Sequence, residues 1–298
     1  MSAGATLLSL APLDLLAARE EVIKISILHT NDMHSRIECF TSGRNKGAGR
    51  MLQLASVIKQ IRSEEENILL LDAGDIFQGT PYFNYYGGEL EFKLMSEIGF
   101  DASTLGNHDF DNGIDGLVKQ LPNAKFSFLS ANYDVSNTLL NGFTLPHKIF
   151  KKNGIKIGVF GLGIKLAGLV DPKLYKDTLY IDPIRVANDQ ACLLKNEMNC
   201  DLVICLSHLG YSYKNKKVSD RVLAQETTNI DLIIGGHTHT FLKEPKSIKN
   251  KKGGEVLINQ VGYGAVKLGK IDFYFEKSTR KKKYKSASVF VKNEAKFV

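Results

Sequence analysis

Residues 67–75 read NILLLDAGD. An apolar run from Ile68 to Leu71 sits between an asparagine and a polar Asp-Ala-Gly-Asp end, the pattern of a short strand buried on both faces. Strands of that kind belong to sheets whose faces are covered, so helices and strands should alternate around this one. They do. Upstream, EVIKISILHTND (21–32) reads as a core strand with a polar end. AGRMLQLASVIKQIRSEEE (48–66) then places Met51, Leu54, Val57, Ile58 and Ile61 at a helical period. Downstream come a helix in ELEFKLMSEIGF, a short strand in DASTLGNHD, a helix near Ile114 to Leu121, and a strand in KFSFLSANY. Hairpin-like strands follow in HKIFKKNGIKIGVFGLG, then a helix from Arg185 to Met198, strand CDLVICLSH, helix Ser219 to Glu226 and strand IDLIIGGHTH. The last third is strand-rich without helices. This is an α/β chain with a largely parallel central sheet and antiparallel strands at its end. In such sheets ligands bind beyond the carboxyl ends of the strands.

Five of those strands end in metal-capable residues: HTNDMH, DAGD, LGNHD, LSH and GGHTH. Asp32 and His34 are two apart, as are His237 and His239, so in extended backbone each pair points to one side. Gly74, Gly106, Gly235 and Gly236 precede the candidates, where small residues let the backbone turn and approach an ion. Asp32, His34, Asp75, Asn107, His208, His237 and His239 offer oxygen and nitrogen ligands without a thiolate. That set exceeds one tetrahedral zinc site and suits two divalent ions sharing a bridging carboxylate. Two such ions clamp the attacking and leaving oxygens of a phosphoryl displacement. Each piece has a bland counterpart. Asp75 after Gly74 suits a turn, His208 a satisfied strand-end histidine, and TLGNHDFDNG (104–113) a solvated turn. Their shared position at strand ends of one sheet is what favours a site. His29 and His147 lack such company and are read as core or surface histidines.

The 298 residues are 43% hydrophobic and 24% charged, enough for a full core. A net charge of +7 favours anionic partners, phosphate-bearing ones included. Much of it lies between Lys243 and Lys285, where KSIKNKKGG and KSTRKKKYK read as solvated hairpin loops. Apart from Tyr284 no aromatic is interleaved within those two loops for base stacking, so no nucleic-acid polymer is expected as partner. Cys39, Cys192, Cys200 and Cys205 have no regular spacing and read as small buried hydrophobes. No apolar run reaches membrane-spanning length. Residues 1–20, MSAGATLLSLAPLDLLAARE, resemble the apolar core and cleavage site of an export signal without its basic start. They read as its remnant or a flexible N-terminus, so a periplasmic or other extracytoplasmic location is expected, and a cytoplasmic one if Met1 is the true start.

The blocks ILHTNDMH, LLDAGDIFQGT, GNHDFDNG, SHLGY and GGHTH, in this order, resemble the calcineurin-like metallophosphoesterases and, within them, the 5'-nucleotidase family. The resemblance runs from about Ile25 to Gly264. It implies a four-layer α/β/β/α sandwich, a dinuclear site, and hydrolysis of a nucleoside monophosphate to nucleoside and phosphate. It also implies that one ion is held by Asp32, His34, Asp75 and His239, and the other by Asp75, Asn107, His208 and His237. Asn107 and His108 would meet the substrate, with His108 the catalytic histidine oriented by Asp111; Asp109 receives no role in the chemistry. The ions expected first are Zn2+ or Mn2+, with Fe or Co open.

Full-length members of that family carry a C-terminal specificity domain, and this chain stops where it would begin. Residues 21–298 are therefore expected to be a single catalytic domain, served by a separate C-terminal-domain protein or by its own loops. GTPYFNYYGG (79–88), with Tyr82, Phe83, Tyr85 and Tyr86, is either such a base-stacking loop or a packed cover for the next helix. A UDP-sugar hydrolase, a 2',3'-cyclic-nucleotide phosphodiesterase, a thiosulfohydrolase relative or a binding subunit docked on that partner are the alternative expectations.

Overall fold

In the computed structural model, which describes residues 22–291 and the strand at 296–297, the run from Ile68 to Asp72 is a strand with every residue buried. The expected leader at residues 1–20 lies outside the described residues. This run, β2, lies between β1 (Val22–Thr30) and β3 (Ala102–Thr104), parallel to both. The parallel order continues through β4 (Ser127–Leu129) to β6 (Thr144–Leu145). On the other side of β1, β14 (Lys267–Glu276), β15 (Lys282–Phe290) and β16 (Lys296–Phe297) add antiparallel strands, completing eight. A second sheet holds six strands: β7 (His147–Lys152), β8 (Ile155–Leu162), β10 (Leu202–Ser207), β11 (Leu232–Gly235), β12 (Lys246–Lys249) and β13 (Glu255–Asn259). The pair β5 (Tyr133–Asp134) and β9 (Leu179–Tyr180) forms a small separate ribbon.

The one central sheet expected from the strand pattern is thus two, and the site strands are divided between them. Strand alternation explains both the arrangement and why the pattern did not reveal it. Leu69 and Leu71 of β2 face a core shared with Leu202, Ile204 and Leu206 of β10 and with Leu232 and Ile234 of β11. Ile68 and Leu70 face the other way, onto helices Met51–Glu64 and Glu89–Ile98. Val203, Cys205 and Ile233 likewise face helices Pro183–Cys192 and Asp220–Glu226. A strand buried on both faces reads the same whichever sheet holds it. The layers are therefore helix, sheet, sheet, helix, the four-layer sandwich that the resemblance implied. Gly161 of β8 lies against β4 of the other sheet: a Cβ there would stand 1.9 Å from the Leu129 carbonyl oxygen.

Helix Met51–Glu64 buries the five apolar residues that its period marked. The helix read as Arg185 to Met198 begins at Pro183, because the Asp182 carboxylate accepts the Arg185 N–H, and passes at Leu193 into a π turn. The segment read as loop 79–88 contains a short helix, Pro81–Tyr86, stopped by Gly87 at φ 62°. Its Phe83 packs on Phe77, while Tyr85 and Tyr86 are exposed. Both basic segments are hairpin connections as expected, joining β12 to β13 and β14 to β15. Cys200 and Cys205 are buried, but Cys39 is half-buried and Cys192 exposed, so the buried-hydrophobe reading holds for two of the four.

Charges inside the first sheet are paired. Lys24 and Ser26 of β1 face the helix layer beside Lys270 and Asp272 of β14, and Glu65 closes the group from the end of helix Met51–Glu64. Burial pushes the Glu65 carboxyl up, but the Ser26 hydroxyl and the Lys270 and Lys24 ammonium groups outweigh it and hold the pKa below the usual 4.5. A depressed folded pKa contributes stability that is present above the unfolded value and lost as pH falls through the folded one. Glu65→Gln is therefore expected to cost about 1 kcal/mol near pH 7. In urea unfolding that deficit should shrink as pH falls below 4.5. An equal deficit at acid and neutral pH would contradict the pairing.

Candidate active site

All seven expected ligand residues, with His108, meet at the carboxyl ends of strands from both sheets. Asp32 and His34 follow β1, Asp75 follows β2, and Asn107 and His108 follow β3. His208 follows β10 in the second sheet, and His237 and His239 follow β11. Two groups of three have ligand atoms within 4.8 Å of one another: Asp32, His34 and His239, and Asp75, His208 and His237. Asp75 Oδ2 lies 2.9 Å from His208 Nε2 and 3.9 Å from His34 Nε2, so it stands between the groups. Asn107 Oδ1 is 2.8 Å from His237 Nδ1, on the second group's side.

The local backbone differs from the extended geometry expected of the D-x-H and H-x-H pairs. Asp32, His34, Asp75, His237 and His239 all have φ between 49° and 70°. Left-handed conformation costs a non-glycine residue about 1 kcal/mol, and such residues persist where their surroundings over-determine them. Here the surroundings are hydrogen bonds between loops. The Asp32 carboxylate accepts the His237 N–H at 2.9 Å, its carbonyl accepts the Gly264 N–H at 2.7 Å, and the His34 N–H donates to the Asp75 carbonyl at 3.0 Å. Gly106 is required by close approach to the neighbouring loop, since a Cβ there would stand 2.2 Å from Asp75 Oδ1.

The donor set fits divalent cations, and the hydrogen bonds show why. His208 Nδ1 donates to the Ala73 carbonyl at 2.7 Å, because a carbonyl can only accept. In the neutral ring this leaves a buried lone pair on Nε2 aimed at the Asp75 carboxylate, with no hydrogen bond to satisfy it. A proton or a cation has to stand between them. Burial alone would lower the His208 pKa, but Asp75 and Asp32 drive it up to about 10. His34 Nε2 and His239 Nε2 likewise face each other at 2.9 Å, an arrangement in which at least one offers a lone pair. Burial lowers the His34 pKa, and burial with the nearby His208 charge brings His237 down to about 4. Neutral imidazole is the ligating form.

His108 stands beside these groups, its ring 5.3 Å from that of His34. Its Nδ1 is 2.8 Å from Asp111 Oδ2, and this bond, ahead of the opposing effect of burial, raises its pKa. Asp109, which has no part in the chemistry by the resemblance, is a structural anchor. Its buried carboxylate accepts the backbone N–H groups of Asp75, Ile76, Phe77 and Gly106, at 3.0, 2.9, 3.3 and 2.8 Å. Burial and the Asp75 charge push its pKa up to about 7, against the pull of the Gly106 N–H. His29 is buried beside Asn259, and His147 pairs with Gln190; neither joins the cluster. The cluster opens into a cavity of about 300 Å³ that is also lined by Arg36, Gln78, Gly79 and Tyr263, which the sequence did not single out. Tyr263 is placed by Asn31, whose side chain binds the Val261 N–H and Gly262 carbonyl, and its ring stacks on His239 at 4.9 Å.

Comparison with known proteins shows the family. Residues 25–241 match the calcineurin-like phosphoesterase family. The chain is 36% identical over 230 residues to a 5'-nucleotidase of Rattus norvegicus, covering 74% of this chain and 38% of the relative. It is 37% identical over 229 residues to the snake venom 5'-nucleotidase of Naja atra, with 74% and 42% covered. Among solved structures, a 5'-nucleotidase precursor from Thermus thermophilus superposes with a TM-score of 0.80 at 28% identity, covering 90% of this chain and 54% of that one. The chain thus spans about two fifths of the length of these curated relatives.

Asp109→Ala should leave up to four buried N–H groups unsatisfied and lower the unfolding free energy of metal-free protein by about 3 kcal/mol. Denaturant unfolding in chelator measures this, and a change under about 1 kcal/mol would rule out the anchoring role.

Proposed function

Because this chain belongs to the calcineurin-like phosphoesterase family, we propose that it hydrolyses a phosphomonoester of the nucleoside 5'-monophosphate class, using two divalent cations. The observation that carries the reading is the pair of ligand groups meeting across Asp75, with His108 at their edge. Asp32, His34, Asp75 and His239 would hold one cation, and Asp75, Asn107, His208 and His237 the other. The cations, when bound, supply Lewis acidity that sharpens a water as nucleophile and offsets the charge of the phosphoryl group.

The remaining work falls to side chains. Asp111 holds Nδ1 of the His108 ring, which favours the imidazolium form, and Nε2 would donate to a phosphoryl oxygen or the leaving oxygen. Water adds to phosphorus, the ester P–O bond breaks, and the departing oxygen takes a proton; nucleoside and inorganic phosphate result. Zn2+ or Mn2+ suits the Asp, Asn and His donors, with Fe or Co also compatible. The apolar start of the chain and the likeness to a venom enzyme support an extracytoplasmic place of action. No described helix is long and apolar enough to cross a membrane.

Two measurements test this. Protein supplied with Mn2+ or Zn2+ should hydrolyse p-nitrophenyl phosphate, and a panel of nucleoside monophosphates, UDP-sugars and 2',3'-cyclic nucleotides should favour the monophosphates. Chelation should abolish turnover, and inactivity with both ions bound would refute the hydrolase reading. His108→Ala should lower kcat by about a hundredfold or more while metal content stays near that of the wild type. If that variant loses metal instead, His108 is a ligand and the roles are misassigned.

A further inference from the structure

Arg36 lines the cavity above the cluster, two residues beyond His34, and its situation is unusual for a half-buried cation. It makes no ion pair with a carboxylate among the described residues. The groups that act on its charge are Tyr263 and Cys39, neither of them a carboxylate. Its Nε is buried without a hydrogen-bond partner. A guanidinium offers five N–H donors in a planar fork that matches the oxygens of a phosphate. With its Nε unmet, a guanidinium at the wall of a site read as taking a phosphoryl group has donor capacity for that group's oxygens.

The side chain is also held in place. Its guanidinium lies 4.0 Å from the centroid of the Phe40 ring. Phe40 packs edge-on against Tyr263 at 5.5 Å, and Tyr263 stacks on His239. The stem passes Gly264, where an added Cβ would stand 3.5 Å from Arg36 Cγ. This aromatic bracket joins Arg36 to the ligand cluster without making it a ligand. The Asp32 and Asp75 carboxylates would be neutralised by bound cations, so the mouth of the site has positive charge to spare for an anion.

We propose that Arg36 is a substrate-binding residue that grips a non-bridging oxygen of the phosphoryl group, held ready by the Phe40–Tyr263 bracket. This rests on the phosphoester hydrolase reading above and adds to it a phosphate contact from the loop that follows β1. The contact forms equally with substrate and with inorganic phosphate, so it acts on binding rather than on the chemical step.

The test is calorimetric titration of inorganic phosphate into protein loaded with Mn2+ or Zn2+. Arg36→Ala should raise the phosphate Kd by about tenfold or more, the loss of a hydrogen-bonded charge. Arg36→Lys, which keeps charge but not the fork, should fall between that and the wild type. The KM for p-nitrophenyl phosphate should rise with the Kd while kcat changes by less than about threefold. Phe40→Leu, which leaves the guanidinium but removes its bracket, should weaken phosphate binding less than Arg36→Ala. Metal content and Tm should stay at wild-type values in all three. Unchanged phosphate affinity in Arg36→Ala overturns the proposal, as does loss of metal, which would make Arg36 a support of the His34 loop. Absence of phosphate binding by the wild type overturns it too. Phosphate binding that depends on Arg36 in a protein that hydrolyses nothing would refute the hydrolase reading and leave this inference standing.

Discussion

The site depends on a buried carboxylate relay that ties loops of the first sheet together and presents them to the second. Asp109 gathers four backbone N–H groups from the Asp75 and Gly106 loops. Asp75 Oδ1 in turn accepts the His108 N–H, and Asp75 Oδ2 faces His208 from the opposite sheet. Moving either carboxylate would displace ligand candidates from both sheets at once. The arrangement gathers acidic groups where water is excluded, since Asp32, Asp72, Asp75, Asp109 and Asp220 are all buried within the sandwich, and burial pushes the pKa values of Asp72, Asp109 and Asp220 up to about 6, 7 and 8. Such a cluster calls for compensating positive charge. His208 as imidazolium, or cations in its place, supplies it.

The same constraint accounts for the strained backbone. Ligand atoms from separate strands must converge on a volume smaller than the spacing of the strands that carry them. Chains leaving β1, β2 and β11 therefore turn at once, and five ligand candidates adopt left-handed conformations held by cross-loop hydrogen bonds. The ordinary anchors lie one step further out. Asn31 brings the segment after β13 against the end of β1, and with it Tyr263 to the wall of the cavity.

Much of this was legible before the structure. The ligand residues announced themselves because strands buried on both faces are apolar until their last residue, so a run of Asp, Asn and His at the end stands out. Helix Met51–Glu64 was legible for a related reason, its buried positions recurring at one period. Asp109 could not be read, because three of its four partners lie more than 30 residues away and all four are backbone groups, which leave no mark on side-chain identity. Arg36 was equally silent: a single arginine after a D-x-H motif has no pattern until Phe40 and Tyr263 are seen around it. Helix Pro81–Tyr86 was masked by the glycines that bound it, which look like loop while they are serving as its stop.

What the sequence determined by itself is the local chemistry: the α/β alternation, the strand ends rich in ligands, and the His108–Asp111 pair three residues apart. The alternation and the strand ends follow from periodicity along the chain, while the His108–Asp111 pair was implied by the family resemblance and its contact is formed within one turn. That the strands form two sheets and that Asp75 stands between two ligand groups was absent from the strand pattern and implied only by the family resemblance; that Asp109 and Arg36 belong to the site's framework and its wall was decided by the tertiary structure alone. Most of those relations join residues from 32 to more than 200 positions apart. They arise from packing one sheet face on another, which is satisfied by any apolar strand and so is not written in the residues of one strand alone.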